Sequence, residues 1–157
     1  MERAFKLVPS HPPPAAATPM SRPAAASGSV AILLCTFNGE SFLKEQLDSI
    51  AAQSHKHWMV YASDDGSTVE TLEILQHYRD AWGDDRLLIS QGPQRGFSNN
   101  FLSVLGQACG HHAYYAFCDQ DDRWHPTKLQ RALDWLERQS PEAPSLYCGR
   151  TQIVNVM

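Results

Sequence analysis

The stretch Val30–Cys35, V-A-I-L-L-C, most constrains what this chain can become. It is a strand-length apolar run without polar alternation, the pattern of a strand covered on both faces. The next segments repeat an alternation of strands and helices. Ser41–Gln53 sets Leu43, Leu47 and Ile50 at helical spacing, and His57–Ser63, with Trp58, Val60 and Tyr61, reads as a second strand. Ser67 and Glu70 have the spacing of a capping box, opening a helix through Leu72, Leu75 and Tyr78. Arg86–Ser90 reads as a third strand, Ser98–Cys109 as a helix with Phe101, Leu102 and Leu105 on one face, and Ala113–Cys118 as a fourth strand. Pro126, favoured in a helix's first turn, opens a helix with Leu129, Leu133 and Leu136 inward, and Pro141 and Pro144 end it. Leu146–Val156 reads as one or two further short strands. This order, β-α-β-α-β-α-β-α-β, implies an α/β fold: a mostly parallel sheet with helices on both faces.

Composition divides the chain. Residues 1–28 hold six of the ten prolines, carry a net charge of +2 and lack a periodic apolar face, so they read as a disordered Pro/Ala-rich tail. Residues 29–157 read as one domain. The whole chain carries −4, with a sequence pI near 5.9. That balance argues against a nucleic-acid partner and a polybasic membrane anchor. No apolar run approaches the ~20 residues of a spanning helix. Cys35, Cys109, Cys118 and Cys148 form no C-x-x-C pair or zinc spacing and read as small hydrophobes in a reducing cytosol. His111-His112 reads as a solvated turn. A dinucleotide fingerprint, a Walker lysine motif and a nucleophile elbow are all missing.

In an open α/β sheet, ligands bind beyond the carboxyl ends of the strands. Each strand here is followed by a polar cluster: Thr36-Phe37-Asn38-Gly39-Glu40, Asp64-Asp65-Gly66-Ser67, Gln91 to Gly96, and Asp119-Gln120-Asp121-Asp122. Three carboxylates in four residues repel one another unless a cation is bound. Such hard oxygen donors suit Mg²⁺ or Mn²⁺, with Asp119 and Asp121 on one face if the segment is extended. The same four residues are also compatible with a solvated acidic turn. Asp65 has the chemistry to accept a nucleobase N–H, and Phe37 is either a stacking platform or a core aromatic. Asn38 and Glu40 suit a turn and a helix start. Arg95 is a candidate for a phosphate or sugar, and Asn100, a poor helix former inside a helix, invites a second role.

Together these segments resemble glycosyltransferase family 2 of the GT-A fold, over about Ser29 to Asn155. V-A-I-L-L-C-T-F-N-G-E is similar to that family's opening strand and loop, S-D-D-G-S-T to its second-strand signature, and Y-Y-A-F-C-D-Q-D-D-R-W-H-P-T-K-L to its D-x-D region. G-P-Q-R-G-F-S-N-N-F and S-L-Y-C resemble the bacterial rhamnosyltransferase branch. The resemblance implies that Thr36, Phe37, Asn38 and Glu40 belong to the nucleoside pocket and that Asp65 binds the base. It places Asn100 and Arg95 beside the donor, Asp119 near the ribose and the metal, and Asp121 on the metal.

The implied reaction is metal-dependent sugar transfer, with inversion, from a nucleoside diphosphate donor to a glycan or lipid-linked acceptor at the cell surface. dTDP-rhamnose follows from the branch alone. The family's acceptor half, with its catalytic base, follows the point where this sequence stops. The expectation is therefore a truncated donor-binding half without a catalytic base, cytoplasmic and peripheral at the inner membrane face. The alternative is a non-catalytic nucleotide-sugar-binding module.

Overall fold

The computed structural model describes residues 28–153, so the tail expected over 1–28 lies outside the described residues apart from Gly28. The elements run β1 (Val30–Thr36), α1 (Leu43–Ala51), β2 (Trp58–Asp64), α2 (Val69–Trp82), β3 (Leu87–Gln91), α3 (Phe97–Ala108), β4 (Tyr114–Asp119) and α4 (Lys128–Leu136). The four strands form one parallel sheet in the order β3-β2-β1-β4.

Strand β1 is buried along its whole length, as its unbroken apolar run requires. Val30, Ile32 and Leu34 pack with Leu43, Leu47 and Ile50 of α1, Leu75 of α2, and Leu129 and Leu133 of α4. Ala31, Leu33 and Cys35 point the other way, onto Val104 and Ala108 of α3. Chain direction explains this division. The crossovers β1-α1-β2 and β2-α2-β3 step one way across the sheet, whereas β3-α3-β4 steps back past β2 and β1. Crossovers of one hand that run in opposite directions lie on opposite faces. The reversal falls between β1 and β4 and makes their carboxyl ends the switch point where α/β sheets open a crevice.

Several local expectations are corrected. Residues 146–153 form no strand, and 154–156 lie outside the described residues. Leu146 and Ile153 are exposed, and Tyr147 packs on Trp135 of α4 (ring centroids 5.9 Å apart), which draws this segment toward the helix. Leu102 is 68% exposed, because it lies about 200° round α3 from buried Asn100. The capping box does not form: Thr68 is the N-cap of α2, and Ser67 instead donates its hydroxyl to Asp64. His112 is half-buried, with Nε2 3.1 Å from the Tyr61 hydroxyl, and burial pushes its imidazole below the ordinary histidine range.

Helix α4 receives its cap from a distance. Thr127 makes no side-chain cap bond, but the fully buried Gln53, just past α1, accepts the Leu129 N–H (3.1 Å) and donates to the His125 carbonyl (2.8 Å). This satisfies one of the amides that a helix start leaves without an intrahelical partner. Gln53→Ala is expected to cost about 1–3 kcal/mol in urea unfolding, since it strands the buried Leu129 amide and takes a partner from the part-buried His125 carbonyl. The exposed Gln130→Ala should leave the midpoint unchanged.

Candidate functional site

The strand ends are aligned by register: Thr36 pairs with Asp64, Asp64 with Gln91, and Cys35 with Asp119. Every loop leaving a strand therefore starts on one rim. A cavity of about 440 Å³ opens there, within the size range of small-molecule sites. Its walls come from the ends of β1 (Cys35, Thr36, Phe37) and β2 (Asp65), from the segment leading into α3 (Gln94, Phe97, Asn100, Phe101), and from the end of β4 (Asp119, Gln120). A second cavity, about 340 Å³, lies between α1 and α2 beside Lys44, Ile74 and Tyr78, and shares no lining residue with the first.

The two adjacent aspartates after β2 divide their work. Asp64 is buried and accepts the Thr36 hydroxyl at 2.8 Å, the Ser67 amide at 2.9 Å and the Gly66 amide at 3.2 Å. It ties the ends of β1 and β2 together and is fully occupied in doing so. Asp65 is half-buried at the cavity wall. Its two oxygens accept the amides of Gln94 (2.6 Å) and Gly96 (3.0 Å), which bends the segment leading into α3 around it. Gly92 permits the approach, since a Cβ there would lie 2.9 Å from Asp65 Oδ1 and 2.6 Å from Asn100 Oδ1.

Asn100 is buried within α3. Its Oδ1 accepts the Ser63 hydroxyl (2.6 Å) and its Nδ2 donates to the Ser63 carbonyl (2.8 Å). This contact accounts for a weak helix former at that position: it fastens α3 to the end of β2.

Of the residues singled out in the sequence, Thr36, Phe37, Asp65, Asn100 and Asp119 meet at the cavity. Asn38, Glu40, Arg95 and Asp121 do not line it. Asn38 sits in the left-handed region (φ 48°) and accepts the N–H of Thr68, the N-cap residue of α2, at 3.0 Å, so it ties the first loop to the start of that helix. Glu40 accepts the Thr71 hydroxyl, which in turn accepts the Gly39 amide. Asp121 follows the end of β4 in a turn, so the extended geometry that would align it with Asp119 is not present. Gln94, Phe97, Phe101 and Gln120 were not singled out, although they line the cavity. Gln120 stands among carboxylates in the sequence, and Phe101 reads as a packing residue on the apolar face of its helix.

The rim is acidic and uncompensated. Neither of the two ion pairs among the described residues, Lys44–Asp48 and Arg79–Asp84, lies there. The Asp119 carboxyl is raised above the ordinary carboxylate range, mainly by burial and further by the charges of Asp121 and Asp122. Burial and the nearby Asp119 and Asp65 push the Cys35 thiol up to about 12, so it faces the cavity as a neutral group.

The model of glycosyl transferase family 2 matches residues 31–151. The chain belongs to glycosyl transferase family 2. Among its relatives is the dTDP-rhamnosyl transferase RfbG of Shigella flexneri, 32% identical over 105 residues, which span 66% of this chain and 36% of that one. The solved structure of S. aureus TarS with UDP-GlcNAc is similar at a TM-score of 0.61 and 27% identity, covering 69% of this chain and 31% of that one. The mannosyltransferase PcManGT of Pyrobaculum calidifontis, solved with GDP-Man and Mn²⁺, shares the fold at a TM-score of 0.60 and 23% identity, covering 68% and 32%. The α/β fold is thus that of GT-A transferases. This family 2 chain spans 36–43% of the length of three curated relatives it matches. Among the described residues no helix is long and apolar enough to cross a membrane.

Asn100→Leu is expected to lower stability by about 1–3 kcal/mol in denaturant unfolding, because the buried Ser63 hydroxyl and carbonyl lose their partner. A midpoint equal to the parent's would contradict the fastening role.

Proposed function

We propose that residues 29–157 form the donor-binding part of an inverting, divalent-metal-dependent glycosyltransferase acting on a nucleoside diphosphate sugar. The observation that carries this reading is the meeting of Phe37, Asp65, Asn100 and Asp119 around one cavity at the switch point of the sheet. Phe37 is 57% exposed at that wall, and its ring is available to stack on a base. Asp65 uses one lone-pair direction of each oxygen on the loop amides and keeps capacity for a base N–H. Asn38 and Glu40 act from behind the wall by shaping the first loop. Arg95, exposed next to Gln94, is the nearest cation in sequence for a phosphate or sugar.

Among the described residues, no three His, Cys, Asp or Glu side chains converge as a closed metal cage. Mg²⁺ and Mn²⁺ do not need one: they take one or two protein carboxylates and fill the remaining positions with phosphate oxygens and water. An acidic rim without cationic partners, with Asp119 at the cavity and Asp121 beside it in sequence, fits that mode. The bound ion would neutralise charge on the departing diphosphate. The protein's own residues would grip the base and turn the sugar toward the acceptor hydroxyl. The base that deprotonates this hydroxyl is not among the residues assigned here.

Similarity to a dTDP-rhamnosyl transferase favours dTDP-rhamnose as donor. We propose as acceptor a cell-surface glycan or a lipid-linked glycan, met at the cytoplasmic side of the membrane.

Thermal-shift titration with dTDP, UDP and GDP tests this. At least one should stabilise the protein, by about 2.7 kcal/mol at a hundredfold over Kd, and only with Mg²⁺ or Mn²⁺ present. Asp119→Asn and Asp121→Asn should each abolish this metal-dependent stabilisation without lowering the unliganded midpoint. Stabilisation by none of the three would overturn the reading. Binding without any sugar transfer or donor hydrolysis would favour the non-catalytic module.

A further inference from the structure

Building on the donor-site reading, we infer that Gln120 is a positioning residue whose side-chain amide holds Phe37 in place for base recognition. The ladder between β1 and β4 ends at the pair Cys35 and Asp119. Just beyond it, the Phe37 N–H donates to Gln120 Oε1 at 2.8 Å, and Gln120 Nε2 donates to the Phe37 carbonyl at 3.0 Å. One side-chain amide thus satisfies both backbone groups of Phe37, as a continuing strand would have done. It joins the loop after β1 to the loop after β4. Its neighbours Thr36 and Asn38 are tied to the loop after β2, but the amide and carbonyl of the mostly exposed Phe37 itself are held by Gln120.

Gly39 supports the same assignment. Its φ is not among the left-handed glycines, so its backbone does not demand glycine. Space does: a Cβ at Gly39 would lie 2.6 Å from Gln120 Cδ, and nearer still to Oε1. The Gln120 amide is what requires glycine there. Gln120 also donates its own backbone N–H to Asp119 Oδ1 at 3.0 Å, so one residue touches both the Phe37 backbone at the base end and the carboxylate at the acidic end. A base that stacks on a ring already held in place forgoes the cost of ordering it.

Calorimetric titrations with Mn²⁺ present test this on the parent, Gln120→Ala, Gly39→Ala and the double variant, using dTDP or whichever diphosphate stabilises the parent, and inorganic pyrophosphate as a ligand without a base. Phe37 amide hydrogen exchange is read alongside. Gln120→Ala should bind the nucleotide about tenfold more weakly, bind pyrophosphate as the parent does, and exchange the Phe37 amide faster. Gly39→Ala should do the same, since its methyl displaces the end of a flexible side chain and not backbone. The double variant should be no weaker than either single one, the non-additivity of two routes to one loss. Unchanged nucleotide affinity in Gln120→Ala, or an equal loss for pyrophosphate, would overturn the inference and leave the donor site standing. A parent that binds pyrophosphate but no nucleotide would overturn both.

Discussion

The parallel pairing of β1 with β2 on one side and β4 on the other is the constraint on which everything at the rim depends. Because β1 is buried on both faces, a register slip would drive Val30, Ile32 and Leu34 off the face shared with α1, α2 and α4. The register that prevents this also brings Thr36 to Asp64 and Cys35 to Asp119. The chemical groups are thus placed by packing two or three residues upstream of them.

Beneath the cavity lies a shell of polar side chains that satisfy backbone groups where regular structure stops. Asp64 closes the gap between β1 and β2, Asn100 fastens α3 to β2, and Gln120 carries the β1–β4 pairing one residue further. Asp65 does the same for the segment leading into α3 while keeping a face to the cavity. Strand ends leave donors and acceptors without partners, and leaving those buried would be costly. The rim therefore needs polar residues for its own integrity. In Asp65 and Asn100 the scaffold and the candidate ligand contacts are the same side chains.

The sequence made the layered sheet legible because its signals are local. Six apolar residues at Val30–Cys35 and the polar clusters after each strand are visible without any tertiary knowledge. Five of the nine residues nominated for the site reach the cavity because they sit on the strand ends or face inward from α3. Gln120 and Asn38 have roles set by partners distant in sequence. Gln120 acts on Phe37, 83 positions away, and Asn38 on Thr68, 30 away. Ser67 has the pattern of a cap, yet Asp64 competes for its hydroxyl and wins. The expected fifth strand failed where a short apolar segment found an aromatic contact on α4.

Backbone amide chemical-shift mapping with a nucleoside diphosphate and Mg²⁺ tests the central claim most directly. The account predicts that the perturbations gather at Thr36, Phe37, Asp65, Gln94, Asn100, Asp119 and Gln120. Perturbations gathered instead at Lys44, Ile74 and Tyr78 in the groove between α1 and α2, with the strand-end loops silent, would contradict it.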